Sequence, residues 1–292
     1  MLISIVTPSF NQAEYIPFTL QSVACQTYPH FEHIILDGQS TDGSVEIIRQ
    51  HAERYPDKIR WLSEPDEGQA DAINKGFSMA RGEIIAWINS DDGYLHKHIF
   101  EEVASAFSEH PQADVIYADV ILVNAKNRVM KVQHAPDFSY PRLLRKCFIS
   151  QPAVFFRRKV IEVEKLDPNL SVVLDYEFWL RLGRKFAFLH VPRLWAFDRN
   201  QPGRKILAKR DVLEVEKWQS RGKYGHSSGW RHRIGRLGDK FGYGLVGRLK
   251  GVATLTKFKL QKSSSDWTVP FEYEGGIKDF YQQLVKRNQD LV

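Results

Sequence analysis

Asp91 and Asp92 stand side by side just after the apolar run Glu83–Ile88, with only Asn89 and Ser90 between. Asp, Asn and Ser are common helix caps where a strand gives way to a helix, and that reading stays open for Ser40, Thr41 and Asp42. Capping does not account for two adjacent carboxylates at the end of a buried strand. Such a pair repels and destabilises the fold unless a cation or hydrogen-bond donors offset it. A hard divalent cation takes oxygen ligands and is bound to protein through one or two carboxylates together with substrate phosphates. The chemistry expected is therefore that of a phosphate-bearing ligand neutralised largely by metal. The turn Thr7–Asn11 agrees, since it holds neither a glycine nor a basic residue, and no Gly-x-Gly-x-x-Gly or Walker loop follows the first strand. His96 and His98 resemble a ligand pair but lie past the carboxylates, and are read as exposed residues at a helix start.

Short β-rich runs alternate with helical patterns upstream of these carboxylates. Leu2–Thr7, His33–Leu36, Ile59–Leu62 and Glu83–Ile88 read as strands; Tyr15–Gln26, Ser44–Tyr55 and Ala70–Ala80 read as helices by their apolar spacing. Ile99–Phe107 reads as a further helix and Asp114–Val123 as a further strand. The alternation predicts an α/β fold with a mainly parallel, doubly wound sheet, in which ligands sit beyond the carboxyl ends of the strands. Polar residues collect at those ends: Thr7–Asn11, Asp37, Glu64–Gln69 and Asn89–Asp92. Farther along, Ala153–Phe156 and Phe186–Val191 read as strands with a helix over Tyr176–Lys185. A boundary is expected near Arg199, where Asn200-Gln201-Pro202-Gly203 follows.

These motifs, in this order, resemble the inverting glycosyltransferases of family 2, with the GT-A fold. Thr7-Pro8-Ser9-Phe10-Asn11-Gln12 is similar to that family's opening nucleotide-binding motif, and Asp37-Gly38-Gln39-Ser40-Thr41-Asp42-Gly43 to its second. Glu67–Gly76 is similar to the helix before the metal motif. Asn89-Ser90-Asp91-Asp92 stands where the family has Asp-x-Asp, with Asn in place of the first Asp. Gln151-Pro152 and Asp175–Arg181 are similar to the acceptor-side motifs, with Leu174-Asp175 where many members carry Glu-Asp. The resemblance covers about residues 2–200. It implies nucleotide binding by Thr7, Pro8, Ser9, Asn11, Asp37, Gly68, Asp71, Asn89 and Ser90, with Asp37 reading the base. It implies a divalent cation, Mn²⁺ or Mg²⁺, on Asp91.

The implied reaction moves a sugar from a nucleotide-diphosphate donor, a UDP-sugar first among them, to a hydroxyl of a glycan or lipid-linked acceptor in cell-surface polysaccharide synthesis. Inversion requires one base and no covalent intermediate, and Asp175 is the candidate; the other readings are a helix-capping aspartate there and Glu177 as the base. Arg199, Arg204 and Lys205 follow the last strand and are candidates for a lid over the diphosphate, or simply a solvated basic linker. A second function class is a catalytically idle sugar-nucleotide-binding or assembly protein, which Asn89 would favour.

The composition sets the remaining bounds. With 43% hydrophobic and 26% charged residues, the chain is not a disordered one. The 2 cysteines, Cys25 and Cys147, cannot build a disulfide framework or a CxxC zinc site, and a reducing, cytoplasmic location is expected. The opening apolar run is too short for a signal-peptide core, and none approaches a membrane span. Residues 1–198 carry 21 Lys and Arg against 26 Asp and Glu, whereas residues 199–262 carry 17 against 4. The basic character thus belongs to one segment, and the acidic first part argues against nucleic-acid binding. Two domains are expected: a catalytic domain over 1–200 and a basic, mainly helical extension over 201–292. In that extension Ile234, Leu237, Phe241, Leu245, Leu249 and Val252 recur at helical steps among arginines and lysines, with Trp218, Trp230 and Tyr243 nearby. A basic amphipathic helix can lie on an anionic bilayer, or pack on the catalytic domain. Peripheral attachment to the inner face of the membrane is the expectation.

Overall fold

A computed structural model describes residues 1–204 and 209–225. The expected alternation is present from the start: β1 (Ile3–Ser9), α1 (Ile16–Ala24), β2 (Phe31–Asp37), α2 (Ser44–Arg54), β3 (Ile59–Ser63), α3 (Gln69–Met79) and β4 (Ile84–Trp87). These four strands pair in parallel, in the order β3-β2-β1-β4. Every residue of β1 is buried, as a strand covered on both faces must be. Ile3 and Ile5 join one core and Val6 the opposite one, which is the two-residue period of a strand. Helix α3 lies so close on β1 that a Cβ at Gly76 would fall 2.3 Å from Val6 Cγ1.

Beyond β4 the sheet becomes mixed. After β5 (Gly93–Tyr94) come α4 (Ile99–Glu109), β6 (Val115–Asn124), β7 (Val129–Gln133), α5 (Tyr140–Arg145), β8 (Val154–Arg157), α6 (Arg158–Val163) and α7 (Leu174–Leu182). The chain then runs through β9 (Phe188–Asn200) to α8 (Arg210–Lys223). Strand β8 is antiparallel to both β4 and β6, β6 is parallel to β9, and β5 is antiparallel to β9.

Strand β9 is 13 residues long, whereas the sequence suggested an end at Val191. The register of β6 with β9 passes from Ala118↔Val191 to Asp119↔Leu194, so Pro192 and Arg193 are bulged out and the strand resumes. A bulge accommodates a proline that has no N–H for the ladder. The continuation carries Asp198 and Arg199 back to the sheet edge. There β5 pairs Gly93 with Phe197. A Cβ at Gly93 would lie 2.5 Å from the Phe197 ring, so glycine permits this close pairing. Trp87, ending β4, stacks on Trp179 of α7 at 5.3 Å with 21° between the planes. The stack ties the loop after β4 to the helix bearing Asp175.

The expected C-terminal pattern at Ile234–Val252, with Trp230 and Tyr243, lies outside the described residues, as does Lys205. Among the described residues no helix is long and apolar enough to cross a membrane.

Candidate active site

The carboxyl ends of β1, β2 and β3 place Ser9, Asp37 and Ser63 in one row. Asp37 is 2% exposed. Its carboxylate accepts the Ser40 backbone N–H at 2.9 Å, the Ser40 hydroxyl at 2.6 Å and the Ser63 hydroxyl at 2.8 Å. Ser40 Oγ in turn accepts the N–H of Asn11, and Asn11 Oδ1 accepts the N–H of Thr41. Asn11 adopts a left-handed φ of 51°, which Asn tolerates better than most residues. Asp37 thus knits the loops after β1, β2 and β3 into one surface. Phe10 lies exposed on it, beside Gly38 and Asp66. Ser9 Oγ is buried without a hydrogen-bond partner among the described residues. Thr7, by contrast, is fully buried, with its hydroxyl on His33 Nε2 at 2.8 Å. It supports β1 from inside; Pro8 lies buried beside it. Burial drives the His33 pKa down to about 3, so that imidazole stays neutral.

The loop after β3 starts α3 at Gly68, whose φ of 115° favours glycine. Asp71 in the first turn accepts the Glu67 N–H and pairs with Lys75 at 3.3 Å. Next along α3, Gln69 donates to Asn89 Oδ1 at 2.8 Å. Asn89 Nδ2 is 3.2 Å from both Asp92 Oδ2 and Gln151 Oε1, and Gln151 donates onward to the Trp87 carbonyl. Both ends of the Asn89 amide are therefore engaged. An aspartate there could accept from Gln69 but could not donate to Asp92 or Gln151.

The adjacent carboxylates face different surroundings. Asp92 is 4% exposed and accepts the Arg199 backbone N–H at 2.9 Å. Burial first, then the charges of Asp91 and Asp198, push its pKa well above the usual carboxylate range. Asp91 is half-buried, its backbone carbonyl accepts Arg199 Nε at 2.7 Å, and Gln201 Nε2 lies 3.3 Å from its Oδ2. Ser90 between them and Asn89 is buried.

Arg199 corrects the lid expectation. It sits within β9, 1% exposed, with its guanidinium 5.1 to 5.3 Å from the ring centroids of Tyr15, Phe18 and Phe197. A guanidinium enclosed this way holds the carboxylate loop and does not swing. Arg204, half-buried, pairs with Asp198 at 2.8 Å. Asp198 was not singled out in the sequence; the signal available was a carboxylate directly after the apolar run Leu194–Phe197. Burial raises its pKa, Arg204 opposes, and Asp91 raises it further.

Asp175 lies in the first turn of α7, and Val173, not an aspartate, occupies the N-cap position. The capping reading therefore does not describe it. Its Oδ1 accepts the Tyr176 N–H at 2.7 Å, and Oδ2 has no hydrogen bond among the described residues. Burial raises its pKa to about 6, the Tyr176 N–H opposes, and Asp198 adds to the rise. Glu177 is 2% exposed and points elsewhere, into Arg181 at 2.9 Å and the Tyr224 hydroxyl. Two helix positions rotate a side chain by about 200°, so the two carboxylates face different sides of α7, and Asp175 is the one raised by the charge of Asp198. His96 is 1% exposed, not at the surface as expected; it packs at the β5–α4 connection, near Glu102. His98 is half-exposed and bonded to Thr27 and Glu101.

As for a divalent cation, the donor set is narrow. Asn89 and Asp92 are engaged with each other and with their neighbours, and no cluster of three His, Cys, Asp or Glu suited to a metal occurs among the described residues. Asp91 is the half-open carboxylate at this edge, and Asp198 is held by Arg204. One such carboxylate fits a cation that draws most of its ligands from a diphosphate.

Known proteins share this fold. The family model described as "Glycosyl transferase family 2" matches residues 4–168. The PGL/p-HBAD biosynthesis glycosyltransferase of Mycobacterium bovis is 30% identical over 181 residues, 62% of this chain and 69% of that protein. The fold is similar to that of S. aureus TarS 1-349, solved in complex with UDP, with a TM-score of 0.57 and 19% identity over 84% of this chain and 75% of that one. It is also similar to the mannosyltransferase PcManGT of Pyrobaculum calidifontis, solved with GDP-Man and Mn²⁺, with a TM-score of 0.59 and 15% identity over 99% and 83% of the two chains. The family match spans more than half of the chain, and a relative 30% identical is covered over more than two thirds of its length: the chain belongs to glycosyl transferase family 2.

Proposed function

We propose that this glycosyltransferase moves a sugar, with inversion, from a nucleoside-diphosphate donor to a hydroxyl of a glycan or lipid-linked acceptor in surface polysaccharide or glycolipid synthesis. Asp175 is the base, and one observation carries that reading. Its carboxyl has one oxygen anchored and the other without a hydrogen bond among the described residues, and a pKa of about 6. Such a group is largely ionised at neutral pH yet basic enough to take a hydroxyl proton as the oxygen attacks the anomeric carbon. On the donor side, the loops organised by Asp37 take the nucleoside, with Phe10 a ring face available to the base. Ser9 Oγ, buried and unpartnered, fits a polar group of the donor, and a UDP-sugar is the first donor to test. Asp91 would hold Mn²⁺ or Mg²⁺, which supplies charge neutralisation of the departing diphosphate. Arg204, by leaving Asp198, and Lys205 would add positive charge to the same group.

Against the idle-protein reading speaks the Asn89 amide, which bonds Gln69, Asp92 and Gln151 and so has a structural role of its own. The test is a panel of UDP-, GDP- and dTDP-sugars with and without Mn²⁺, read by thermal shift and by nucleoside diphosphate release. Neither binding nor release with any donor would overturn the proposal. Contact of the basic C-terminal segment with an anionic bilayer, through aromatics such as the exposed Trp218, belongs to the same reading. Sedimentation with phosphatidylglycerol-containing vesicles checks it.

A further inference from the structure

Helix α8 lies in the segment beyond residue 200, yet it is fastened to the start of α7. The side chain responsible is Glu216, 7% exposed. Its carboxylate accepts the backbone N–H of Ser171 at 2.9 Å, the Ser171 hydroxyl at 3.1 Å, and the N–H groups of Val172 and Val173 at 3.0 Å each. Those three residues are the turn leading into α7, and Asp175 follows two residues after Val173. The N-cap residue Val173 has no side chain that could cap the turn, and within α7 Asp175 takes up just the Tyr176 N–H. A helix start left so would expose unpaired N–H groups. Glu216 supplies the missing acceptors from another helix, and its negative charge sits at the favourable end of the α7 dipole. The hydrogen bonds from the turn outweigh burial and hold its pKa below the ordinary carboxylate value, so it is ionised at neutral pH.

Further contacts keep α8 on α7. Arg221 Nε donates to the Tyr176 hydroxyl at 3.1 Å, which donates to the Leu143 carbonyl at 2.6 Å. Just past α8, the Tyr224 hydroxyl meets Glu177. These bonds hold the residues on either side of Asp175 in the chain, while Asp175 itself lies close enough to Asp198 to feel its charge.

We propose that Glu216 is a positioning residue for the transfer reaction: by capping the Ser171–Val173 turn from α8 it sets where the free oxygen of Asp175 meets the acceptor hydroxyl. This rests on Asp175 being the base. It also makes α8 part of the catalytic unit.

The full chain is compared with Glu216→Gln, Asp175→Asn and the double variant. Glutamine keeps the size of the side chain but turns an NH₂ group toward N–H donors, so two of the four bonds lose their acceptor. The rate is that of nucleoside diphosphate release from UDP-glucose, UDP-N-acetylglucosamine or GDP-mannose with Mn²⁺, whichever the parent turns over fastest. Glu216→Gln should lower kcat by roughly 10- to 100-fold, as misplacement of a catalytic group does, and leave the donor KM within about twofold. In the Asp175→Asn background it should cause no further loss, because residues acting through one another are not additive. Amide exchange of residues 171–176 should accelerate in Glu216→Gln while that of β1–α3 stays as in the parent; this arm needs no substrate. Unchanged exchange at 171–176, or an equal loss of rate with and without Asp175, would overturn the proposal. So would a parental kcat for Glu216→Gln beside a slow Asp175→Asn. If Asp175→Asn itself turns over at the parental rate, the base assignment is what falls, and the positioning role goes with it.

Discussion

Replacing Asp175 by Asn should make the enzyme slower and its fold more stable at once. Burial lifts the carboxyl from 3.8 to about 6. At 1.36 kcal/mol per pH unit that difference is about 3 kcal/mol against the ionised form, an upper figure for a group that is half-buried. The folded state therefore binds the Asp175 proton more tightly than the unfolded chain does. Between pH 3.8 and about 6 the native state holds more protons, so this residue's contribution to stability falls as pH rises. Above pH 6 the whole penalty is present. Asn carries no charge, so the gain in stability should be absent near pH 3.5 and reach roughly 1–3 kcal/mol at pH 7 and above. Its Oδ1 can still accept the Tyr176 N–H, so the first turn of α7 is kept. Transfer, however, loses its proton acceptor and should fall by roughly 10²–10⁴-fold. The parent's rate should rise with pH through about 6 and then level off, while the residual rate of the variant lacks that limb. The assay pairs denaturant melts at pH 3.5 and 7.5 with steady-state rates, Glu177→Gln run alongside. Parental turnover by Asp175→Asn with a dead Glu177→Gln would refute the assignment. A variant less stable at pH 7.5 than the parent would refute the reading of burial.

Three further outcomes are expected. Asp91→Ala should weaken metal-dependent nucleotide binding by an order of magnitude or more, measured by calorimetry with UDP and Mn²⁺; unchanged affinity would remove Asp91 from the cation. Asp37→Ala leaves the Ser40 and Ser63 donors without their shared acceptor, so it should cost about 1–3 kcal/mol in a denaturant melt, raise the donor KM and blur preference among UDP-, GDP- and dTDP-sugars. Asn89→Asp restores the family's Asp-x-Asp pattern in sequence only. It should not tighten Mn²⁺ binding, and by removing the donor to Asp92 and adding a charge beside it, should destabilise the protein by about 1–3 kcal/mol; a gain in metal affinity without loss of stability would show that the Asn89 network does not matter.

Much of this was legible in the residues alone. Short β-rich apolar runs located β1 to β4, and period-3.6 apolar spacing their helices, within a few residues, because a strand covered on both faces is apolar throughout and a helix on a sheet presents its apolar residues at its own period. Polar residues after each strand marked the edge where Ser9, Asp37 and Ser63 line up, since a parallel arrangement brings those ends together. The departures came where distant segments meet. Strand β9 runs past Pro192 because a bulge against β6 makes room for it, which local reading takes for a stop. That continuation buries Arg199 and delivers Asp198 to the carboxylates, more than a hundred residues after Asp91. Asn89 looks like a weakened metal ligand until Gln69, Gln151 and Asp92 are seen around its amide. Glu216 has no signal in its own helix, for its partners are three backbone N–H groups and one hydroxyl over forty residues earlier. Residue type and local spacing tell which groups can accept or donate. Which of them are engaged, which are buried and which stay free for a substrate depends on chain segments brought together by the fold, and burial in turn decides protonation.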